Sequence, residues 1–319
     1  MRILITGVTG FVGGHLVEAL LNEGGHTLHG LRRRSEWASE WSHLSGQLSL
    51  HAVDLLDVAS TETLLRQVQP NWIFHLAGYA NAGKSFHEPD LAWEGNVLAS
   101  RRLYEAVQRS GIRPRILYTS TGLVYGDAAG AGAAQVFGED SSLQPTSPYA
   151  ASKAAADLLA YQVTRHPGLD VVRVRCFNQI GPRQSADYAV ANFARQISAI
   201  EKGRQVACIE TGDLSGQRDL TDVRDMVRAF ILLMKFGGCG EAYNAGSGTT
   251  YRMQSILDRL LTLSRVRVEV KQKIDPHRKG DAAVSRADVT KLEQTTGWKR
   301  INSLEQTLAD TLDYWRSLG

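Results

Sequence analysis

The chain has only three cysteines, Cys176, Cys208 and Cys239. Their number is odd and none is in C-x-x-C spacing, so neither a disulfide framework nor a zinc knuckle is expected. A reducing, cytoplasmic setting is expected instead, and no metal. Long apolar runs are also missing. Ala229 to Met234 is among the longest, far short of the roughly 20 residues that span a bilayer, so no membrane partner is expected. The opening Ile3-Leu4-Ile5 is interrupted by Gly7, Gly10, Gly13 and Gly14, then by His15 and Glu18. That reads as strand-turn-helix, not as the apolar core of a signal peptide, and the chain is expected to be soluble and unprocessed. A dominant charge sign is lacking too. Against 36 Lys+Arg stand 33 Asp+Glu, a net +3 over 319 residues. This field is too weak to coat a nucleic acid, so any anion must be met by local arginines.

What is present is an ordinary enzyme-like composition, 43% hydrophobic and 22% charged, with length for one and a half or two domains. Short apolar runs alternate with helical stretches in the first half. Strands are predicted at 2–6, 27–31, 48–53, 72–76, 116–119 and 171–175, and helices near 12–22, 61–69, 92–110 and 149–164. Continuous apolar strands joined by helices predict an α/β fold, a doubly wound parallel sheet whose ligands sit beyond the carboxyl ends of the strands. After Arg175 the alternation becomes irregular. Residues 1–175 plus 223–245 are read as the sheet domain, and 176–222 plus 246–319 as a smaller C-terminal α/β lobe that closes over it. The glycine- and alanine-rich stretch Asp127 to Gly138 is expected to be a mobile flap or a linker.

Thr6-Gly7-Val8-Thr9-Gly10-Phe11-Val12-Gly13 follows the first predicted strand and opens the first helix. Glycines three apart let the backbone turn tightly and approach a pyrophosphate, with helix N-terminal N–H groups as donors; Gly13 lets helix and sheet approach closely. Gly7, Thr9, Gly10, Phe11, Val12 and Gly13 are therefore candidate cofactor residues. At the end of the second strand an acid would accept from the ribose hydroxyls of NAD, whereas a base would pair with the extra phosphate of NADP. Arg32, Arg33 and Arg34 stand there, with no acid before Glu36, and guanidinium groups hold phosphate by paired hydrogen bonds. NADP is expected, with NAD as the alternative; the plain reading of the run is a solvated basic turn. Asp54-Leu55 is expected at the adenine and Leu76-Ala77-Gly78 beside the nicotinamide-side ribose.

Ser147-Pro148-Tyr149-Ala150-Ala151-Ser152-Lys153 sets a tyrosine and a lysine four apart, on one helix face. Bringing a phenol from ~10 to about 7 takes ~4 kcal/mol, much of which a lysine ammonium and a nicotinamide ring beside it would supply. Tyr149 would then exchange a proton with a substrate oxygen while hydride moves to or from the cofactor. The fifth strand ends in Thr119-Ser120-Thr121, where a hydroxyl can hydrogen-bond the same oxygen. Thr121 is the choice and Ser120 the fallback. Each feature alone is common; their conjunction is informative.

With the glycine motif, His75-Leu76-Ala77, Asn96-Val97 and the Thr121…Tyr149-x-x-x-Lys153 set in this order, the chain resembles the extended short-chain dehydrogenase/reductases. That family acts chiefly on nucleotide-activated sugars, and the likeness covers essentially the whole chain. It implies a Rossmann sheet, a nucleotide-sugar substrate and a homodimer or homotetramer. Leu28 to Ser35 resembles the cofactor segment of GDP-mannose 4,6-dehydratases, which use NADP. Phe177-Asn178-Gln179-Ile180-Gly181-Pro182-Arg183-Gln184, Arg218 to Asp225 and Gly297-Trp298 resemble GDP-4-keto-6-deoxymannose reductases. The resemblance implies that Asn178 and Arg218 contact the nucleotide diphosphate, joined by Arg278 from the C-terminal lobe, with Ser120 and Arg183 completing the substrate set.

One departure is informative. The 4,6-dehydratases carry a glutamate two residues after the strand-end threonine, and this chain has Leu123 there. Leucine transfers no proton, and elimination of water needs both a base and an acid. What remains is NADPH-dependent reduction of a GDP-linked 4-keto-6-deoxyhexose, the leading expectation, or 4-epimerisation of a UDP- or GDP-linked sugar. A dehydratase with its acid relocated comes third, Glu139 or Asp140 being the first residues to suspect. Outside enzymes, the alternative is an NADP-sensing protein.

Overall fold

The computed structural model describes residues 1–33, 37, 39–126, 135–273 and 285–318. Arg34, Arg278 and residues 127–134 of the glycine-alanine stretch lie outside them. The first half runs β1 (Arg2–Thr6), α1 (Phe11–Glu23), β2 (Thr27–Arg32), β3 (Ser49–Ala52), α2 (Val58–Val68), β4 (Trp72–His75), α3 (Pro89–Trp93), α4 (Ala99–Ser110), β5 (Arg115–Thr121), β6 (Gln135–Phe137), α5 (Pro148–Arg165) and β7 (Asp170–Cys176). The second half runs β8 (Asn178–Ile180), α6 (Ala189–Glu201), β9 (Cys208–Thr211), β10 (Gln217–Asp222), α7 (Val223–Phe236), β11 (Ala242–Ala245), β12 (Thr250–Arg252), α8 (Met253–Thr262), β13 (Glu269–Gln272), β14 (Ser285–Ala287), α9 (Thr290–Thr296) and α10 (Leu304–Ser317).

Seven strands form one parallel sheet in the order β11-β7-β5-β4-β1-β2-β3, the doubly wound arrangement expected. Its topological switch lies between β1 and β4, where a crevice opens beyond the strand ends. Alternation along each strand builds two cores. Ile3 and Ile5 face α1 and α7 through Leu16, Leu20, Met226 and Phe230. Leu4 and Ile73 face α2, α4 and α5 through Leu65, Leu103, Val107 and Ala160. Leu292 and Trp298, which the sequence reading assigned to the smaller lobe, belong to the first of these cores.

Local chemistry sets the ends. Asp57 caps α2 through the Ser60 N–H, and Ser147 caps α5 through that of Ala150, with Pro148 at its first turn. The single helix predicted over 92–110 is interrupted: α3 passes into a wide π turn, Glu94–Leu98, before α4 begins. The extra backbone residue per turn carries Asn96 inward, where it is buried, and such bulges often accompany functional sites.

The second half has its own core of Ile197, Ile209, Leu257, Leu260, Leu308 and Leu312. A smaller sheet runs β12-β10-β14-β6, with β8 also on β10. β6 lies within the stretch expected to be a flap or linker and is instead a strand paired with β14. Buried Asp219 organises this sheet, accepting from the N–H groups of Ser247, Gly248 and Ala287 and from the Ser247 hydroxyl.

Behind the larger sheet lies a buried ionic knot. Asp157 of α5 is fully buried and takes Arg173 at 2.5 Å and Arg175 at 3.1 Å, both from β7. Arg175 also donates to the Tyr125 hydroxyl and the Glu139 carbonyl. Removing one partner of such a cluster strands the others without solvent. Asp157→Asn should therefore lower unfolding stability by about 3–5 kcal/mol. Urea denaturation checks this, and a loss under ~1 kcal/mol would show that the arginines find other partners.

Candidate active site

A cavity of about 1860 Å³ opens at the switch point between sheet and lobe. Its floor is the β1–α1 turn. Gly7 has φ +68°, and a Cβ there would stand 2.8 Å from the Ala77 nitrogen. A Cβ on Gly13 would stand 2.4 Å from the Gly7 carbonyl oxygen, so only glycine permits this packing. No side chain caps α1 at Gly10, which leaves first-turn N–H groups of Phe11, Val12 and Gly13 at the cavity wall. An uncapped helix N-terminus over a glycine turn fits a pyrophosphate.

The structure brings the other cofactor candidates to the same wall: Thr9, Arg32, Arg33, Asp54, Leu55, Leu76, Ala77 and Gly78. Arg32 stands out. Its Nε and Nη1 are buried without a partner among the described residues, an arrangement that costs free energy unless an anion completes it. Arg33 is exposed at the rim, joined by Trp37, which sequence reasoning missed. These features fit an anionic dinucleotide.

Thr121 and Tyr149 both line the cavity. Burial pushes Tyr149 above the ordinary phenol range and the neighbouring Tyr188 adds to this, while the nearby Thr121 side chain opposes it. The expected lowering by lysine is not among the influences on Tyr149. Lys153 lies below the cavity wall and donates to the Thr119 carbonyl at 2.9 Å, 5.4 Å from the Tyr118 ring centre. Burial draws its ammonium down to about 8, although Cys176 and Asp157 favour the charge. Ser120 is buried with its hydroxyl unpartnered among the described residues, and Cys176, held up to about 12 by burial, completes this wall.

A buried polar chain fixes these groups. Ser100 donates to the Asn96 carbonyl at 2.6 Å, so its oxygen accepts from His75 Nε2 at 2.9 Å. His75 Nδ1 is then the acceptor of the Thr6 hydroxyl at 2.9 Å, and Thr6 in turn accepts the Ala77 N–H at 3.0 Å. This tautomer is assigned from the bonds. Burial holds His75 at about 3, so it stays neutral. Asn96 accepts from the Tyr79 N–H and donates to Ser152, which donates to the Tyr149 carbonyl.

Of the expected substrate residues, Asn178 and Arg218 line the cavity. Asn178 donates to the Asp219 carbonyl. Arg183 is placed differently. Its guanidinium is committed to Glu18 at 3.1 Å and lies 4.7 Å over the Trp41 ring, away from the cavity lining. Burial alone would raise Glu18, but His15, His43 and Arg183 hold it at about 2, so the pair is structural. Leu123 does line the cavity, 38% exposed. Glu139 is spent elsewhere, accepting the Asn244 N–H at 2.8 Å. Neither it nor Asp140 is among the cavity carboxyls, which in the described residues are Asp54, Glu94, Asp187 and Asp213. Among the described residues no helix is long and apolar enough to cross a membrane, and no cluster fit to hold a metal occurs.

Known proteins share this arrangement. The family model described as GDP-mannose 4,6 dehydratase matches residues 4–311. The GDP-6-deoxy-D-mannose reductase of Pseudomonas aeruginosa is 32% identical over 99% of this chain and 97% of its own length. Among solved structures, that of RMD from Pseudomonas aeruginosa complexed with NADPH superposes with a TM-score of 0.85 at 31% identity, covering 99% of both chains. The Thermus thermophilus UDP-glucose 4-epimerase in complex with NAD gives 0.87 at 28% identity over the whole of both. A glycine turn, a Thr-Tyr-Lys set and these relatives agree: the chain belongs to the GDP-mannose 4,6-dehydratase family, enzymes of the extended short-chain dehydrogenase/reductases that act on nucleotide sugars.

Proposed function

We propose that this enzyme is an NADPH-dependent reductase of a GDP-linked 4-keto-6-deoxyhexose. The observation that carries the reading is Leu123, a hydrocarbon in the cavity two residues beyond Thr121, with Glu139 already engaged. Arg32 and Arg33 would hold the extra phosphate, the α1 N-terminus the pyrophosphate, and Asp54-Leu55 the adenine. Asn178 and Arg218 would meet the nucleotide diphosphate in the C-terminal lobe.

When bound, the dihydronicotinamide supplies a hydride to the carbonyl carbon. Tyr149 donates its phenolic proton to the oxygen, and the Thr121 hydroxyl hydrogen-bonds the same oxygen as charge develops. Burial keeps the proton on Tyr149 at neutral pH. That is the protonation state from which a general acid starts. Lys153 steadies the phenolate left behind, its ammonium one helical turn along α5.

Three outcomes test the reading. Arg32→Gln with Arg33→Ala should weaken NADPH binding at least tenfold, on the order of one charge-assisted hydrogen bond, and leave NADH nearly unchanged; titration of both cofactors decides, and equal losses would remove the phosphate role.

The Lys153 ammonium is disfavoured by burial, so it is present below about pH 8 and lost above it. Reductive turnover should therefore decline as pH rises through that value. In Lys153→Arg, whose charge persists, the alkaline limb should move upward; an unmoved limb would assign it to another group.

Supplied with NADP, GDP-mannose should yield no 4-keto-6-deoxy product, while a pre-formed GDP-4-keto-6-deoxyhexose should be reduced as NADPH absorbance falls. Keto sugar formed from GDP-mannose would make the chain a dehydratase, with Glu94 the carboxyl to replace next. Interconversion of 4-epimers without net cofactor consumption would make it an epimerase.

A further inference from the structure

Across the cavity from the glycine turn, the lobe touches the sheet domain at a place the reaction chemistry does not use. Asp187 and Tyr188 immediately precede α6 and line the cavity. The Tyr188 hydroxyl donates to the Ala80 carbonyl at 3.3 Å, and Asp187 pairs with Lys84 at 3.2 Å. Both partners lie on the loop beyond β4, whose residues Tyr79 to Gly83 also line the cavity. Two short contacts therefore bridge the opening between the halves.

That loop continues to the catalytic helix. Ser85 donates to the Ala82 carbonyl at 2.6 Å and accepts the Tyr149 N–H at 3.1 Å. A path thus runs from the start of α6, through the loop, to the first turn of α5. Tyr188 is also near enough to Tyr149 to raise the cost of ionising it, which places the bridge at the reaction end of the cavity.

The contacts are weak. Lys84 and Asp187 are 59% and 54% exposed, and exposed pairs contribute little. The tyrosine bond is long for O–H to O. Weak contacts are what an element that must open on every turnover requires.

We propose that Asp187 and Tyr188 form a latch that closes the sugar end of the cavity onto Ala80 and Lys84, and that its closure seats the first turn of α5 through Ser85. Tyr188 and Lys84 are positioning residues on this view. The inference does not depend on which sugar reaction the site performs.

Stopped-flow association and dissociation of GDP-mannose and of UDP-glucose, on NADP-loaded protein, test it with whichever sugar binds. Preference for UDP-glucose would overturn the GDP assignment above and leave the latch to be judged on its own rates. Lys84→Met and Tyr188→Phe should each speed association and dissociation together, about two- to fivefold, with unchanged melting temperature. A gate alters both directions in step, whereas a plain binding contact alters dissociation alone. Faster dissociation at unchanged association, or no change in either rate, overturns the latch. Ser85→Ala keeps the latch and frees the helix turn, so it should lower turnover several-fold at unchanged rates of binding and release. Full turnover in that variant overturns the coupling to α5.

Discussion

One buried chain of hydrogen bonds at the carboxyl edge of the sheet ties the cofactor turn to the helix that carries Tyr149. It runs from the Ala77 N–H through Thr6, His75, Ser100 and Asn96 to Ser152 and the Tyr149 carbonyl. Thr6, His75, Asn96, Ser100 and Ser152 are all essentially inaccessible to water. Each donor has one acceptor, so the chain has one satisfactory arrangement, and a break anywhere strands polar atoms in a dry interior. The parallel register puts Thr6 beside His75 and His75 beside Tyr118, which brings β1 and β4 into line with β5. The cofactor turn and the catalytic helix thereby share one rigid reference. A neutral His75 matters here, since a second proton would leave the Thr6 hydroxyl with no acceptor.

Much of this was legible in the sequence, and the reason is period. Continuous apolar strands alternating with helices, with a glycine turn after the first, point to a doubly wound sheet, and the strand ends then name the cavity wall. The glycine turn and the strand end at Thr121 follow from that, and Tyr149 from its spacing to Lys153 taken together with them. Asn96 was visible only as part of a resemblance, because its inward aim comes from a π turn that no helical periodicity announces. The placing of Arg183 was hidden for a related reason. Its motif places it in a loop near the cavity, but Glu18 and Trp41, far away in sequence, capture its side chain. Tyr188 carried no signal at all, since its meaning lies wholly in a contact with residue 80.

The handling of positive charge shows the same division between sequence and packing. The chain is nearly neutral overall, yet it must meet a polyanionic ligand. Arg173 and Arg175 cannot serve, because Asp157 holds both behind the sheet. Arg183 is held by Glu18. Arg32 ends β2 with buried nitrogens unpartnered among the described residues, next to a helix N-terminus that no side chain caps. The anion site is thus built from groups withheld from internal pairing, not from an excess of charge.

The ionic knot also decides what the segment beyond the glycine-alanine stretch can do. Glu139 gives its carbonyl to Arg175 and its carboxylate to the Asn244 N–H. Asn244 donates to the Phe137 carbonyl and accepts from Tyr125, whose ring stacks on Phe137 at 5.0 Å. These bonds tie the end of β6 to β7 and β11 of the larger sheet. To swing into the cavity as an acid, Glu139 would have to abandon the Asn244 amide and unseat Phe137 from a nearly dry cluster. The carboxylate that would make elimination feasible is therefore anchored by the same contacts that join the two sheets. With Leu123 in the cavity and Glu139 held away from it, Tyr149 is the proton-transfer group on which the proposed reduction relies.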